Sequence, residues 1–156
     1  MTEVVPGPAI RVSAMVVLPS SDGSAHAVAR LPATRENPDG FHRLVGGVVE
    51  AGETSLDAVV REVGEELGAA LMEPVLLGVL ESIFRVDGEL GHEVVFVHTG
   101  RLDPADTVPA GGAVFTDCGR PMPVEWRPVE DVDVAIPLYP DGAVELVARA
   151  VALRRD

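Results

Sequence analysis

Residues 46–69 of the 156-residue chain read GGVVEAGETSLDAVVREVGEELGA, and the rest of the fold is organised around them. Thr54 is a favourable N-cap residue, and Asp57 three positions later is its expected partner in a capping box. Gly68 stands where a helix that begins at Ser55 would end in a left-handed cap. The stretch therefore predicts a glycine-rich turn followed by one helix.

The apolar residues of this predicted helix recur at helical spacing. They are Leu56, Val59, Val60, Val63 and Leu67. Such spacing is typical of an amphipathic helix with one buried face. We expect these five side chains to pack on the core.

Three carboxylates share another flank of the same helix. Glu62, Glu65 and Glu66 are three and four positions apart, so they lie close together and repel one another. They also lie in the C-terminal half, where the helix dipole disfavours anions. The acids either face water, since Glu is a good helix former, or bind a cation. Oxygen ligands without Cys or His favour Mg²⁺ or Mn²⁺.

The spacing of the fixed positions resembles the Nudix box, G-x5-E-x7-R-E-U-x-E-E-x-G-U, where U is bulky and apolar. Gly47, Glu53, the Arg61-Glu62 pair, the Glu65-Glu66 pair and Gly68 all match. Ala69 at the last position is smaller than usual. Further segments, including the Gly91-His92-Glu93 turn and the late Leu138-Tyr139-Pro140, resemble one branch of the Nudix hydrolases.

The resemblance implies a role for each matched residue. Glu62, Glu65 and Glu66 would bind Mg²⁺ or Mn²⁺, and the Gly47 carbonyl would join them. Arg61 would pair with Glu53 and hold the loop against the helix. The catalytic carboxylates would be Glu62, Glu65 and Glu93, with either Glu65 or Glu93 accepting the proton of the attacking water. For Glu93 the alternative is a solvent-facing strand residue.

The chain around the motif predicts an α+β fold in one domain, residues 1–156. Strands are predicted at 11–18, 25–31, 41–45, 74–86, 92–102 and 124–126, with a turn of helix at 130–134 and a helix at 141–155. Residues 103–121 are rich in Pro, Gly and Asp and predict an irregular loop, either a lid or disordered. The resemblance implies a Nudix-like α/β/α sandwich, with a mixed sheet between helices.

Several side chains outside the motif are candidates for substrate binding. Arg43, Arg30 and Arg35 are placed to reach a phosphate, and Phe41 and Phe84 to stack on a base or ribose. The alternatives are surface arginines and core phenylalanines. His92 is a candidate phosphate contact and Glu50 a candidate ligand, and an exposed position is the alternative for both. Trp126 and Tyr139 are expected to be structural.

Composition limits the function further. A net charge of −13 argues against nucleic-acid and membrane partners. One cysteine, Cys118, excludes an internal disulfide, and no signal or membrane segment is visible, so a cytoplasmic location is expected. The resemblance implies a pyrophosphohydrolase acting on a small nucleotide-type diphosphate. The alternative is a module that senses a nucleotide such as ADP-ribose without cleaving it. Homodimers are common in the family, and the sequence leaves the oligomeric state open.

Overall fold

The computed structural model describes residues 8–130 and 135–155. These residues form nine strands and two helices, with four strands before the first helix and five between the two helices. They are β1 (Arg11–Pro19), β2 (Ala25–Leu31), β3 (Phe41–Arg43), β4 (Val45–Val48), α1 (Ser55–Leu67), β5 (Ala70–Val86), β6 (Glu89–Asp103), β7 (Ala113–Asp117), β8 (Arg120–Pro128), β9 (Leu138–Tyr139) and α2 (Ala143–Arg155). The predicted turn of helix at 130–134 falls mostly on residues outside the described part.

The strands form a mixed sheet in the order β5-β6-β1-β2-β3-β9. β1 is parallel to β6 and antiparallel to β2 and β4, while β8 pairs with β2 and β7. The predicted strand at 41–45 is in fact two strands, because β3 pairs with β2 and β4 crosses to β1. The α+β fold with a mixed sheet between helices is confirmed.

β1 separates two layers of the core because its side chains alternate between the faces of the sheet. Ala14, Val16 and Leu18 pack with Val59 and Val63 of α1. The intervening residues pack on the other face, where α2 contributes Leu146 and Val147. Each helix therefore covers its own face of the sheet, and α1 is seated directly over β1. No helix in the described part of the chain is long and apolar enough to cross a membrane.

The predicted apolar stripe of α1 is wrong at two positions. Val59, Val63 and Leu67 are buried, but Leu56 and Val60 are 43% and 41% exposed. The buried face is completed by Ala58 and by Glu66, a carboxylate that was predicted to lie on a flank outside the buried stripe. The helix is thus rotated so that one acid of the predicted cation cluster lies inside the protein.

The prediction of an irregular loop over residues 103–121 is wrong for residues 113–121, where β7 and β8 form a hairpin. Cys118 and Gly119 join the two strands, and both have positive φ, 49° and 78°. Two successive positive φ angles are typical of a tight hairpin turn, usually signalled by Asn-Gly or Asp-Gly. Cys-Gly lacks that signal, and Pro121 and Pro123 lower the strand propensity of β8.

Candidate active site

The helix that carries the acids begins and ends where the sequence predicts. The Thr54 hydroxyl accepts a hydrogen bond from the Asp57 amide at 3.1 Å. Gly68 has φ 65°, and its amide donates to the Gly64 carbonyl. The acids therefore project from a helix with both ends capped, which limits their movement.

Arg61 ties the loop before the helix to the helix itself. Its Nη2 donates to Glu53 Oε1 at 2.7 Å and to the Val48 carbonyl at 3.1 Å. Nη1 of the same guanidinium lies 2.9 Å from Glu62 Oε1 and 3.2 Å from Glu65 Oε2. Hydrogen bonds from Arg61 hold the pKa of Glu53 below its ordinary value. The pairing of Arg61 with Glu53 is therefore present.

Glu66 is the buried member of the acidic cluster, with 5% of its surface exposed. Its Oε2 has no hydrogen-bond partner. Burial raises the pKa of Glu66 to about 8, and a hydrogen bond that protonated Glu66 donates to the Glu62 carboxylate acts in the same direction, while the Arg43 charge opposes both. A buried carboxylate oxygen without a partner carries a desolvation cost that a proton or a cation would offset.

Gly47 lies directly against Glu62. A Cβ at this position would come within 2.5 Å of Glu62 Oε1, so only glycine leaves room for that carboxylate. The neighbouring Gly46, in β4, has φ 149° and packs closely against β1. A Cβ at Gly46 would be 2.1 Å from the Ala14 carbonyl oxygen. Gly46 thus allows β4 to approach the backbone of β1, and Gly47 leaves room for the carboxylate of Glu62.

Within residues 8–130 and 135–155, no three His, Cys, Asp or Glu side chains are grouped closely enough to hold a metal ion. Two of the acids, Glu62 and Glu65, are paired instead with the guanidinium of Arg61. The donor set still fits a hard cation, because every nearby ligand is an oxygen and one of them, Glu66 Oε2, is buried and unpaired.

An aromatic pocket of 270 Å³ lies beside the acidic cluster, and Arg43 lines it. The rings of Phe41 and Tyr139 meet edge to face at 5.2 Å, and those of Phe84 and Tyr139 at 6.2 Å. Because the Arg43 charge also acts on Glu66, this arginine links the pocket to the carboxylates.

Polar atoms without partners also line the aromatic pocket. Ser82 is 1% exposed, and neither its hydroxyl nor the Nε of Arg43 has a hydrogen-bond partner. Glu93 lines the same pocket, with its side chain 13% exposed and its Oε1 3.0 Å from Arg11 Nη2. The pocket therefore combines aromatic walls with unsatisfied hydrogen-bonding groups, as small-molecule sites commonly do.

Other candidates from the sequence lie elsewhere. Arg30 donates to Glu125 and to the Asp39 carbonyl and is not among the residues that line the pocket. Glu50 is exposed in the loop before α1, and its amide bonds to Glu53. Trp126 donates to the Pro109 carbonyl, consistent with a structural role. Trp126 also borders a larger open cleft of 1070 Å³, and none of the predicted site residues line that cleft.

Three residues of the site were not among its predicted members. Tyr139 was expected only to pack, yet its ring joins Phe41 and Phe84 in the pocket wall. Ser82 has no local signal, because a serine between strand residues reads as an exposed position. Asp117 belongs to the missed hairpin, and its charge contributes to the raised pKa of Glu66.

Comparison with known proteins identifies a family that matches most of the chain and a relative that matches about a third of it. The NUDIX domain family matches residues 9–149. An uncharacterised Nudix hydrolase of Rhodococcus erythropolis is 47% identical over 57 residues, which are 36% of this chain and 31% of that protein. The match thus spans about a third of the length of this curated relative.

Solved structures share the fold over nearly the full length. A MutT NUDIX hydrolase from Burkholderia pseudomallei is 22% identical with a TM-score of 0.61, over 92% of this chain and 99% of that one. A MutT protein from Methanosarcina mazei is 17% identical with a TM-score of 0.59, over 94% and 96%. An ADP-ribose pyrophosphatase from Streptococcus suis is 17% identical with a TM-score of 0.55, over 95% and 94%.

Proposed function

The chain belongs to the NUDIX family, and from that premise we propose that this pyrophosphohydrolase cleaves a nucleoside di- or triphosphate, or a nucleoside diphosphate linked to another group. The reaction is attack of water on a phosphorus of the diphosphate. The observation that carries the proposal is the position of Arg43. Arg43 lines the aromatic pocket, and its charge acts on buried Glu66. One residue therefore connects the aromatic pocket with the acidic cluster.

The acidic cluster is proposed to bind Mg²⁺ or Mn²⁺ through Glu62, Glu65 and Glu66, with the Gly47 carbonyl. The buried, unpaired oxygen of Glu66 supports this assignment. When bound, the cation would neutralise phosphate charge and lower the pKa of the attacking water. Arg61 is proposed to act as a positioning residue, because it holds Glu62 and Glu65 by one nitrogen and the loop by the other.

The proton of the attacking water is proposed to pass to Glu65 or Glu93. Glu65 is exposed on α1, and Glu93 faces the pocket beside Arg11. Glu93 lines the pocket, and Glu65 lies on the helix beside the proposed metal ligands, so each is a candidate general base. Positioning and electrostatic stabilisation suffice for phosphoryl chemistry of this kind, so no Ser, Cys or His nucleophile is required.

The aromatic pocket is proposed to take one ring of the nucleotide. Its 270 Å³ lies below the 300–1,000 Å³ that is common for sites of drug-sized ligands, so a single base fits better than a dinucleotide. Phe41 and Phe84 would contact the ring faces, while Ser82 and Arg43 would bond to polar edges. The diphosphate would then extend past Arg43 toward the carboxylates.

The proposal is tested by a phosphate-release screen, with Mg²⁺ and Mn²⁺ run separately. The panel holds nucleoside di- and triphosphates, nucleotide sugars, NADH, dinucleoside polyphosphates and ADP-ribose. We expect metal-dependent turnover of one class, and a loss of about 10³-fold or more in Glu66→Gln. The control is Glu145→Gln, an exposed acid of α2 that should retain full activity.

Metal binding is measured independently of turnover, by Mn²⁺ electron paramagnetic resonance titration of wild type and Glu66→Gln. Weaker Mn²⁺ binding with an unchanged circular dichroism spectrum supports the assignment. Normal turnover by Glu66→Gln contradicts it. A nucleotide that raises the melting temperature but is never consumed favours the sensing module instead. The observation that favours this second function is that, among residues 8–130 and 135–155, no three His, Cys, Asp or Glu side chains are grouped closely enough to hold a metal ion.

A further inference from the structure

β5 is the terminal strand of the sheet, and one of its edges is open. β6 pairs with it on one side, in unbroken register from Gly78 opposite Val97 to Val86 opposite Glu89. No strand of the described part of the chain pairs with the other side of residues 78–86. Arg149 donates to the Leu77 carbonyl, so α2 covers the strand up to the start of this open segment. A long open edge is a template for another strand.

The two faces of this segment differ. Leu80 packs on the core layer under α2, and Ser82 is buried beside the aromatic pocket. The alternate residues Val79 and Ile83 face outward and are 49% and 58% exposed. An exposed apolar strand at a sheet edge is a liability that soluble proteins normally protect with charges, bulges or a covering element.

The charges on the outward face are arranged symmetrically. Glu81 and Arg85 are both exposed, and they flank Ile83 at two residues on either side. In an antiparallel pair of identical strands centred on Ile83, each Glu81 lies opposite the Arg85 of the other strand. Oppositely charged pairs directly across a sheet are stabilising, and like charges are destabilising.

Other registers lack this match. Centring the pair on Glu81 places two glutamates opposite each other, and centring it on Arg85 places two arginines opposite each other. Centring it on Ser82 places Glu81 opposite Ile83 and Arg85 opposite Val79. Centring it on Phe84 places Glu81 opposite Asp87 and Arg85 opposite Ile83. Among the five antiparallel registers centred on residues 81 to 85, the one centred on Ile83 alone places opposite charges across the pair, as a self-complementary two-fold interface requires.

We infer that the open edge of β5 is the interface for a second copy of this chain, paired antiparallel about a two-fold axis at Ile83. In this dimer Ile83 packs on its counterpart, and the two Glu81–Arg85 pairs flank it. Ser82 and Phe84 of the same strand line the pocket, so pairing also steadies one pocket wall in each subunit.

Sedimentation velocity across a range of protein concentrations tests the interface. Wild type is expected to reach the dimer mass, twice 16.4 kDa or 32.8 kDa. Glu81→Arg alone and Arg85→Glu alone each place like charges opposite, and each should weaken association by about 10–100-fold. Circular dichroism confirms that both variants are folded, and Glu145→Arg on α2 is the control that should dimerise as wild type does.

Mixing the two single variants is the decisive step. Two arginines of one chain then face two glutamates of the other, so an equimolar mixture is expected to recover the dimer. The double variant, with both charges exchanged, should recover it as well. Wild type that stays monomeric at every concentration overturns the inference, and so do single variants that dimerise as well as wild type.

Discussion

The hydrogen bonds that orient the acids of α1 join residues 48–65, whereas the aromatic pocket takes Phe41, Phe84 and Tyr139 from three strands far apart in the sequence. The loop–helix unit, residues 46–68, is thus organised by its own side chains. The pocket exists only when β3, β5 and β9 have come together. The proposed function assigns the chemistry to the local unit and the selectivity to the long-range pocket.

The difference shows in how each region is held. Three hydrogen bonds from one guanidinium, that of Arg61, link the loop to the helix, two to Glu53 and one to the Val48 carbonyl. The pocket wall depends instead on Glu36, whose carboxylate accepts the amides of Asp87 and Gly88 at the tip of the β5–β6 hairpin. Substitutions in the two regions should therefore have different consequences for stability, turnover and substrate binding.

The largest effect is expected where the local unit meets the sheet, at Gly46→Ala. The new Cβ would meet backbone atoms of Ala14 and Met15, at 2.1 and 2.6 Å, and φ 149° is unfavourable for alanine. We expect a loss of about 3–5 kcal/mol in the free energy of unfolding, measured by urea denaturation.

The matched control is Gly52→Ala, in the loop of the same unit. Gly52 also has a positive φ, 89°, but a Cβ there meets nothing within 4 Å. Its cost should be limited to backbone strain, about 1–2 kcal/mol. Equal losses for the two variants would show that contact with β1 does not hold the unit in place.

The local unit was predictable because its signals lie within one stretch of sequence. Thr54 and Gly68 cap the helix as predicted. Arg61, on the helix, donates a hydrogen bond to Glu53 in the loop that precedes the helix. The face of α1 that is buried was not predictable from the spacing of its apolar residues. That spacing includes Leu56 and Val60, which lie on the exposed side of the helix. Tertiary packing of Ala58, and not hydrophobicity alone, decides which face is buried.

The pocket was predictable only in part. Phe41, Phe84 and Arg43 were candidates because aromatic rings and guanidinium groups suit nucleotides. Ser82 and Tyr139 reach the pocket through the pairing of β5 with β6 and of β9 with β3, and such pairings leave no mark in the local sequence. The β7–β8 hairpin that carries Asp117 was missed for a different reason, the unusual Cys-Gly turn.

An intermediate effect is expected at Gly47→Ala, which tests whether the local unit carries the chemistry. Its Cβ would displace the flexible carboxylate of Glu62, so stability should fall by only about 1 kcal/mol. Turnover of the substrate identified in the screen should fall about 100-fold, because small misplacements of catalytic groups are costly. The control is Gly64→Ala between the acids on α1, where no neighbour lies closer than 4.0 Å and helix propensity improves. Full turnover by Gly47→Ala would mean that the position of Glu62 is unimportant.

The smallest effect is expected at Ser82→Ala, which tests whether the long-range pocket carries the selectivity. The Ser82 hydroxyl is buried and has no partner in the free protein, so its removal should leave the free energy of unfolding unchanged within about 0.5 kcal/mol. A ligand ring that bonds to this hydroxyl should lose about tenfold in affinity, seen as a higher KM with kcat unchanged. Ser20→Ala is a contrasting control, since that hydroxyl donates to Asp22 and accepts the Ala25 amide away from the pocket. It should lower stability and leave KM unchanged. If Ser82→Ala instead lowers kcat and spares KM, the pocket takes part in the chemistry, and the division of labour between the two regions does not hold.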